Sequence, residues 1–526
     1  MKPKAQNLNT SFLRMQLIIL CLVVVALMVS ACSSSRGYKI NLMPAPSIFE
    51  DGAVNPLPKG QPPVSYDDFR MLYATDRKPS DNPDERPFYL DETGFILRLG
   101  EARVKAGPEG ADWEAVRRIT LAKNRSGDYP LEVVSVRGNG YLADTYSFLT
   151  RSIPQDPSLD DHGRNFARLI DERLAASGDK DVYVYIHGFR VMFDVPVLVA
   201  SELWHFMGYR GAFIAYSWAS TPSLFAYLAD LEAAVIMARK LRLFLTYLAE
   251  KTQAERIHIV AFSAGSRLVV RALHQMALLS EDKTDEEIRK KVRIGNVIII
   301  GGDISHEEFG VALADGLLRV PERTTIYVSS ADRALIFVNR LFRRERIGQL
   351  WADDLPTRAA DFLRSNPSLQ FIDVTGAAGS TDGNGHNYFR QSPWVSSDLM
   401  ALLAYDVGAA QRGLEKDESA PVWKFPPDFI QRLQKALVEI NPLITTPGGD
   451  VIALDAKINI DDSPEIAQQM QVQSVPTVFV FMRGQPVPGF QGVQPESQIK
   501  LLIEKLIGGP LGQDPAEAGI EQAQAL

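Results

Sequence analysis

The sequence predicts an α/β fold built on a doubly wound, mostly parallel sheet, and three observations carry that prediction. From Asp181 to Val374, short apolar, β-branched runs alternate with longer segments of helical spacing, the pattern of parallel strands joined by helical crossovers. One of these runs, Ile257 to Val260, passes through a turn of small residues directly into a helical segment at Leu268 to Leu273. The chain has 526 residues, 46% of them hydrophobic, which is enough for two or three folded domains.

Bulk properties exclude some functions. A net charge of −8 gives no reason to expect nucleic acid. The cysteines are Cys21 and Cys32, so the body of the chain has no disulfide, thiolate nucleophile or cysteine metal cluster. No metal and no cofactor is expected.

Lys2, Lys4 and Arg14 precede an apolar run from Leu17 to Val29, and Val29-Ser30-Ala31 leads into Cys32. The run is short for a membrane span and suits a signal peptide. The small residues before the cysteine resemble a bacterial lipobox. That resemblance implies a signal peptide over 1–31, lipidation of Cys32 and, with Ser33 next, outer-membrane sorting. The body would then sit in the cell envelope, facing the periplasm; an uncleaved N-terminal anchor is the competing reading.

Residues 32–64 are rich in Ser, Pro and Gly and read as a flexible tether. The main domain is expected over 65–410. Its first strand is Phe69 to Asp76, and 79–93 reads as a loop. Leu131 to Val136 is a further strand, and a helix is centred on Phe166 to Ile170. Val182 to Ile186 is a buried strand ending in His187-Gly188-Phe189-Arg190. The helix Val195 to Phe206, the strand Gly211 to Trp218 and the long helix Tyr227 to Glu250 lead to the serine turn. Strands at Val292 to Ile300, Thr324 to Val328 and Leu369 to Val374 follow. The glycine-rich loop 376–385 and a helix from Trp394 to Ala410 close the domain. Residues 411–427 read as a linker, 428–510 as a second unit and 511–526 as a disordered tail.

The turn is Ala261-Phe262-Ser263-Ala264-Gly265. A strand that becomes a helix so abruptly lifts one side chain, here Ser263, out of the turn; this is the nucleophile elbow in the form A-x-S-x-G. A serine hydroxyl needs a base. Of seven histidines, His386 follows the last strand, in a loop where such a base is presented. His306, which follows Asp303, is less easily dismissed than the others. The orienting acid belongs between serine and histidine in chain order, at a strand end. Asp332 fits, and Asp303, at the end of the preceding strand, is the alternative. Two N–H donors are needed for an oxyanion: Ala264 supplies one and Phe189, in the turn after Ile186, the other. His187 is expected to fix that turn. The arginine-rich run from Arg340 to Arg346 reads as a solvated helix face, with an anionic-lipid or phosphate site as the sharper alternative.

The His187-Gly188-Phe189 turn, Ser217-Trp218, the elbow, Ser329-Ser330-Ala331-Asp332-Arg333-Ala334-Leu335 and Gly385-His386-Asn387-Tyr388 together resemble a poorly characterised bacterial α/β-hydrolase family. Tyr73-Ala74-Thr75-Asp76-Arg77 matches its N-terminal signature. The resemblance covers roughly 65–405 and implies a serine hydrolase with no settled substrate. The family commonly carries histidine before the serine and methionine after it, where this chain has Phe262 and Ala264; pocket shape should change and mechanism survive.

Residues 428–509 resemble the C-terminal half of a thioredoxin domain, with Val475-Pro476-Thr477 matching its cis-proline element. Trp423 to Phe429 lacks the Cys-x-x-Cys that thioredoxin chemistry needs, and the first strands of a full unit are hard to find, so the unit reads as incomplete. It is either a protein-binding module or a structural appendage. The leading expectation is a membrane-anchored serine hydrolase, esterase-, lipase- or thioesterase-like, acting on a small-molecule or lipid acyl substrate. The alternative is an inactive envelope scaffold that binds a protein partner through the thioredoxin-like unit.

Overall fold

Ile186, Ala261 and Ile299 share one apolar layer, and the strands that carry them form the middle of a twelve-stranded sheet. In the computed structural model, most of residues 39–440 are described, the largest gaps being 58–68, 148–158, 221–226 and 350–356. Beyond 440 only Leu443–Thr445, Val451–Ala453, Thr477–Met482, Gln485–Gln491 and Gln498 are described.

The strands of the large sheet are β1 (Lys39–Asn41), β2 (Arg70–Pro79), β3 (Tyr89–Ala106), β4 (Pro130–Leu142), β5 (Asp181–Ile186), β6 (Ala212–Ser217), β7 (Arg256–Phe262), β8 (Ile294–Ile300), β9 (Arg323–Val328), β10 (Leu369–Asp373), β11 (Glu415–Lys416) and β12 (Val422–Lys424). Their order is β1-β4-β3-β2-β6-β5-β7-β8-β9-β10-β12-β11. From β2 across to β12 every neighbouring pair is parallel; β1, β4 and β3 flank that block as antiparallel strands. Every residue of β5, β6 and β8 is buried, which is why these strands read as continuous apolar runs without alternation. The helices are α1 (Trp113–Leu121), α2 (Leu159–Ser177), α3 (Asp194–Phe206), α4 (Tyr227–Lys251), α5 (Gly265–Leu278), α6 (Asp285–Val292), α7 (His306–Ala314), α8 (Arg333–Phe342), α9 (Thr357–Ser365), α10 (Tyr388–Gln391), α11 (Pro393–Tyr405) and α12 (Phe429–Ile440). No helix among the described residues is long and apolar enough to cross a membrane.

The chain goes from β5 to β6 on one side and then to β7 on the other. This reversal opens a crevice at the carboxyl ends of β5 and β7, the place where doubly wound sheets put their sites.

Three expectations are corrected. Residues 39–49 are not tether: β1 pairs with β4, Ile48 and Phe49 are buried, and the Ile48 N–H donates to Ser397 Oγ at 3.2 Å. Their apolar residues are irregularly spaced, so they bury without a period. The loop expected over 79–93 contains the start of β3, whose half-exposed charged residues hide its alternation. The expected linker 411–427 carries β11 and β12, and its Arg412 is fully buried against Asp398 at 2.6 Å. Strands of two or three residues are too short to show a period.

The chain divides into two compact units, residues 1–50 with 56–430, and 51–55 with 431–526. In the second unit Leu443–Thr445 pairs antiparallel with Val451–Ala453, and Thr477–Met482 with Gln485–Gln491. Cys32, the expected signal peptide over 1–31, Val475-Pro476 and the tail 511–526 lie outside the described residues.

Candidate active site

β7 ends at Phe262 and α5 begins at Gly265, leaving two residues to reverse the chain. Ser263 adopts φ 52°, in the left-handed region, a conformation that costs a non-glycine residue on the order of 1–2 kcal/mol. The end of β8 holds it there. The Ser263 N–H donates to Ile300 O at 2.9 Å and Ser263 O accepts from Asp303 N at 3.2 Å. Ser266 Oγ donates to the same carbonyl at 2.6 Å. Two glycines are required by close approach. A Cβ on Gly188 would lie 2.8 Å from Ser263 Cβ, and one on Gly265 would lie 2.6 Å from His187 O. The turn after β5 therefore rests directly on the serine.

His386 arrives on the loop after β10. Its Nδ1 is 2.6 Å from Asp332 Oδ2, and a Cβ on Gly301 would sit 3.1 Å from its Cε1. The imidazole therefore lies against the end of β8, beside the carbonyl that holds Ser263. The Phe262 ring packs at 4.9 Å from the imidazole. Asn384 fixes the loop: its Oδ1 accepts from His386 N at 3.2 Å and its carbonyl from Arg333 N at 3.0 Å. Asp332 is fully buried and serves twice, because its Oδ1 also caps α8 by accepting from Leu335 N at 3.0 Å. Burial alone would lower the His386 pKa. The Asp332 charge and hydrogen bond, with a smaller contribution from Asp303, outweigh it and raise the pKa above 6.5. Among the described residues no hydrogen bond joins Ser263 Oγ to His386, a separation common before substrate binds.

Asp303 is engaged elsewhere. It is 3.2 Å from Arg267 Nη2 and 3.4 Å from Arg346 Nε, all three side chains being buried. Arg346 thus departs from the solvated helix face expected of its run, while Arg340, Arg343 and Arg344 are exposed.

Phe189 follows Gly188 in the turn on Ser263, and Ala264 stands at the N-terminus of α5 with no side-chain cap, where backbone N–H groups lack helical partners. His187 stabilises the turn. Its Nδ1 lies 2.7 Å from Gly188 O and its Nε2 3.1 Å from Trp218 O, and Trp218 Nε1 donates to His187 O at 2.7 Å. Burial, then the nearby Arg77 charge, depress its pKa to about 3. The remaining histidines have other partners. His258 is 3.1 Å from Asp181 at the opposite end of the sheet, His205 binds Thr120 and Tyr209, and His274 pairs with Asp315. His306 pairs with Glu345, and His162 accepts from Tyr141 N.

Sequence reasoning passed over the Arg267–Asp303–Arg346 cluster, whose members are scattered along the chain, and the contact of Phe262 with His386. The position of Phe262 beside the serine was the available signal.

Residues 164–404, which contain Ser263, Asp332 and His386, match the family described as "Alpha/beta hydrolase of unknown function (DUF900)". Over 68 residues the chain is 37% identical to an uncharacterized protein of Mycobacterium tuberculosis, covering 13% of this chain and 22% of that protein. Over 52 residues it is 40% identical to a probable thioredoxin-2 of Caenorhabditis elegans, covering 10% and 36%. The chain thus spans well under half the length of these curated relatives. A solved hyperthermophilic esterase from Pyrobaculum calidifontis aligns at 14% identity over 43% of this chain and 75% of its own, with a TM-score of 0.23. The parallel sheet reversing at β5, the serine turn at that reversal and the family match over 164–404 define the fold as that of an α/β-hydrolase.

Proposed function

We propose that the chain is a serine hydrolase acting on an ester, thioester or amide of an apolar acyl group. His386 takes the proton of Ser263 Oγ as the oxygen attacks the carbonyl carbon. Asp332 holds the imidazole in the tautomer that accepts at Nε2 and stabilises the imidazolium. The N–H groups of Phe189 and Ala264 receive the developing oxyanion. His386 then protonates the leaving group, and water, activated by the same histidine, releases the acid. One observation supports this above the others: the part-buried Asp332–His386 pair at 2.6 Å lies against the strand end that holds the left-handed serine. Phe262, its ring 4.9 Å from the imidazole, supports an apolar substrate.

The same proposal anchors the chain to the cell envelope through lipidated Cys32 and gives the cysteine-free C-terminal unit a protein-binding role.

A fluorophosphonate probe tests the reaction. Labelling should be lost in both Ser263→Ala and His386→Ala. Folded parent protein that does not label rules out the enzyme and leaves the inactive scaffold. Cys32→Ala should abolish incorporation of labelled fatty acid, and persistent incorporation would refute the anchor.

A further inference from the structure

The mechanism leaves Thr75-Asp76-Arg77 without a part, yet all three residues are fully buried at the end of β2. Each is bonded to a loop beside the site. Thr75 Oγ1 donates to Ser217 O at 2.6 Å. Asp76 Oδ1 accepts from Ala219 N at 3.0 Å, and its Oδ2 lies 3.4 Å from Lys240 Nζ. Arg77 spreads its fork over several neighbours: Nε donates to Ser217 Oγ at 3.1 Å, Nη1 to Asp91 Oδ1 at 3.0 Å and to Leu90 O at 3.5 Å, and Nη2 to Val191 O at 2.5 Å.

Two of these partners flank the site. Val191 follows His187-Gly188-Phe189 in one loop, and Ser217 precedes the Trp218 whose indole donates to His187 O. Trp218 therefore ties the near side of the turn to the end of β6, and Arg77 ties the far side to the same strand end. Between them Arg190 is held at φ 61°, a strained conformation that persists only where its surroundings enforce it. A buried guanidinium is costly unless its donors are used, and its planar fork fixes direction where an ammonium does not.

We propose that Arg77 is a positioning residue for the oxyanion turn, holding the Phe189 N–H on the carbonyl oxygen through Val191 and Ser217. The proposal rests on the serine-hydrolase reading above. It predicts a loss in turnover out of proportion to any loss in substrate binding, because the oxyanion bond forms fully only in the transition state.

The test uses full-length Arg77→Met, Arg77→Lys and Ser217→Ala, with kcat and KM for a p-nitrophenyl ester, the rate of fluorophosphonate labelling, and Tm. Arg77→Met and Arg77→Lys should each lower kcat about 100-fold with KM little changed, the size expected for a displaced donor. The labelling rate should fall in parallel, since the phosphonyl oxygen takes the place of the oxyanion. Ser217→Ala, which removes one partner, should lose on the order of 10-fold and keeps the test informative if Arg77→Met does not fold. Folded variants that retain the parent kcat overturn the proposal. So does full recovery in Arg77→Lys, which would mean that charge acts through space without the fork. If the parent itself neither labels nor turns over ester, the hydrolase reading falls and this one with it. If the parent labels and the variants label equally fast, the role of Arg77 alone falls.

Discussion

Asp332 holds a helix with one oxygen and a histidine with the other, and two substitutions separate these functions. In Asp332→Asn the side-chain carbonyl can still accept from Leu335 N, as Asp332 Oδ1 does at 3.0 Å; asparagine and aspartate are equivalent N-caps. The amide NH2 then faces His386 Nδ1, forcing the ring proton onto Nε2, where it blocks acceptance of the serine proton. Turnover should fall about 10,000-fold, the scale of a wrong-tautomer histidine. Stability should fall by only about 1–2 kcal/mol, for the lost charge-assisted bond. Asp332→Ala loses the cap as well, about 1 kcal/mol, and leaves the histidine N–H buried without an acceptor, a further 1–3 kcal/mol or so. Ester turnover and urea unfolding of both variants provide the assay. An Asn variant within tenfold of the parent kcat would refute the triad role of Asp332. Equal stability losses in Asn and Ala would refute the capping role.

Because the folded pKa of His386 is raised above 6.5, the rising limb of kcat/KM against pH should lie above 6.5 and move down in Asp332→Asn. The stability gained from the His386–Asp332 pair is fully present below the unfolded pKa and is lost as pH rises through the folded one; unfolding free energies across that window would check the sign. Ser263 at φ 52° predicts that Ser263→Gly, though inactive, is about 1 kcal/mol more stable than Ser263→Ala, measurable by denaturant midpoints. In Gly188→Ala the new methyl would meet Ser263 Cβ at 2.8 Å. Labelling should disappear while the protein stays folded, at a cost of about 1–3 kcal/mol; unchanged labelling would show that the turn is further from the serine than described.

The middle of the sheet was legible because strands buried on both faces are apolar throughout, and β5, β7 and β8 needed no partner to be recognised. Ser263, Asp332 and His386 could be proposed together because each follows a strand in the order such a site uses. The choice between Asp303 and Asp332 stayed open, since both follow buried strands. What separates them is the convergence of Arg267 and Arg346 on Asp303, contributed by segments remote in sequence. β3, with its register shifts against β2 and β4, and β11 and β12 were hidden for a related reason: irregular or very short strands take their identity from the neighbour they pair with.

The N-terminal strap links residues that are far apart in time as well as in sequence. Ile48 and Ser397 are 349 positions apart, as are Asn41 and Arg390, whose Nη2 donates to Asn41 O. Synthesis delivers residues 39–49 well before Arg390 and Ser397, so Ile48 cannot bond to Ser397 until α11 has formed and docked. Contacts of such separation are slow to close. Resistance of 41–48 to protease should therefore appear late in refolding, which makes cleavage in this segment a clock for completion of the domain.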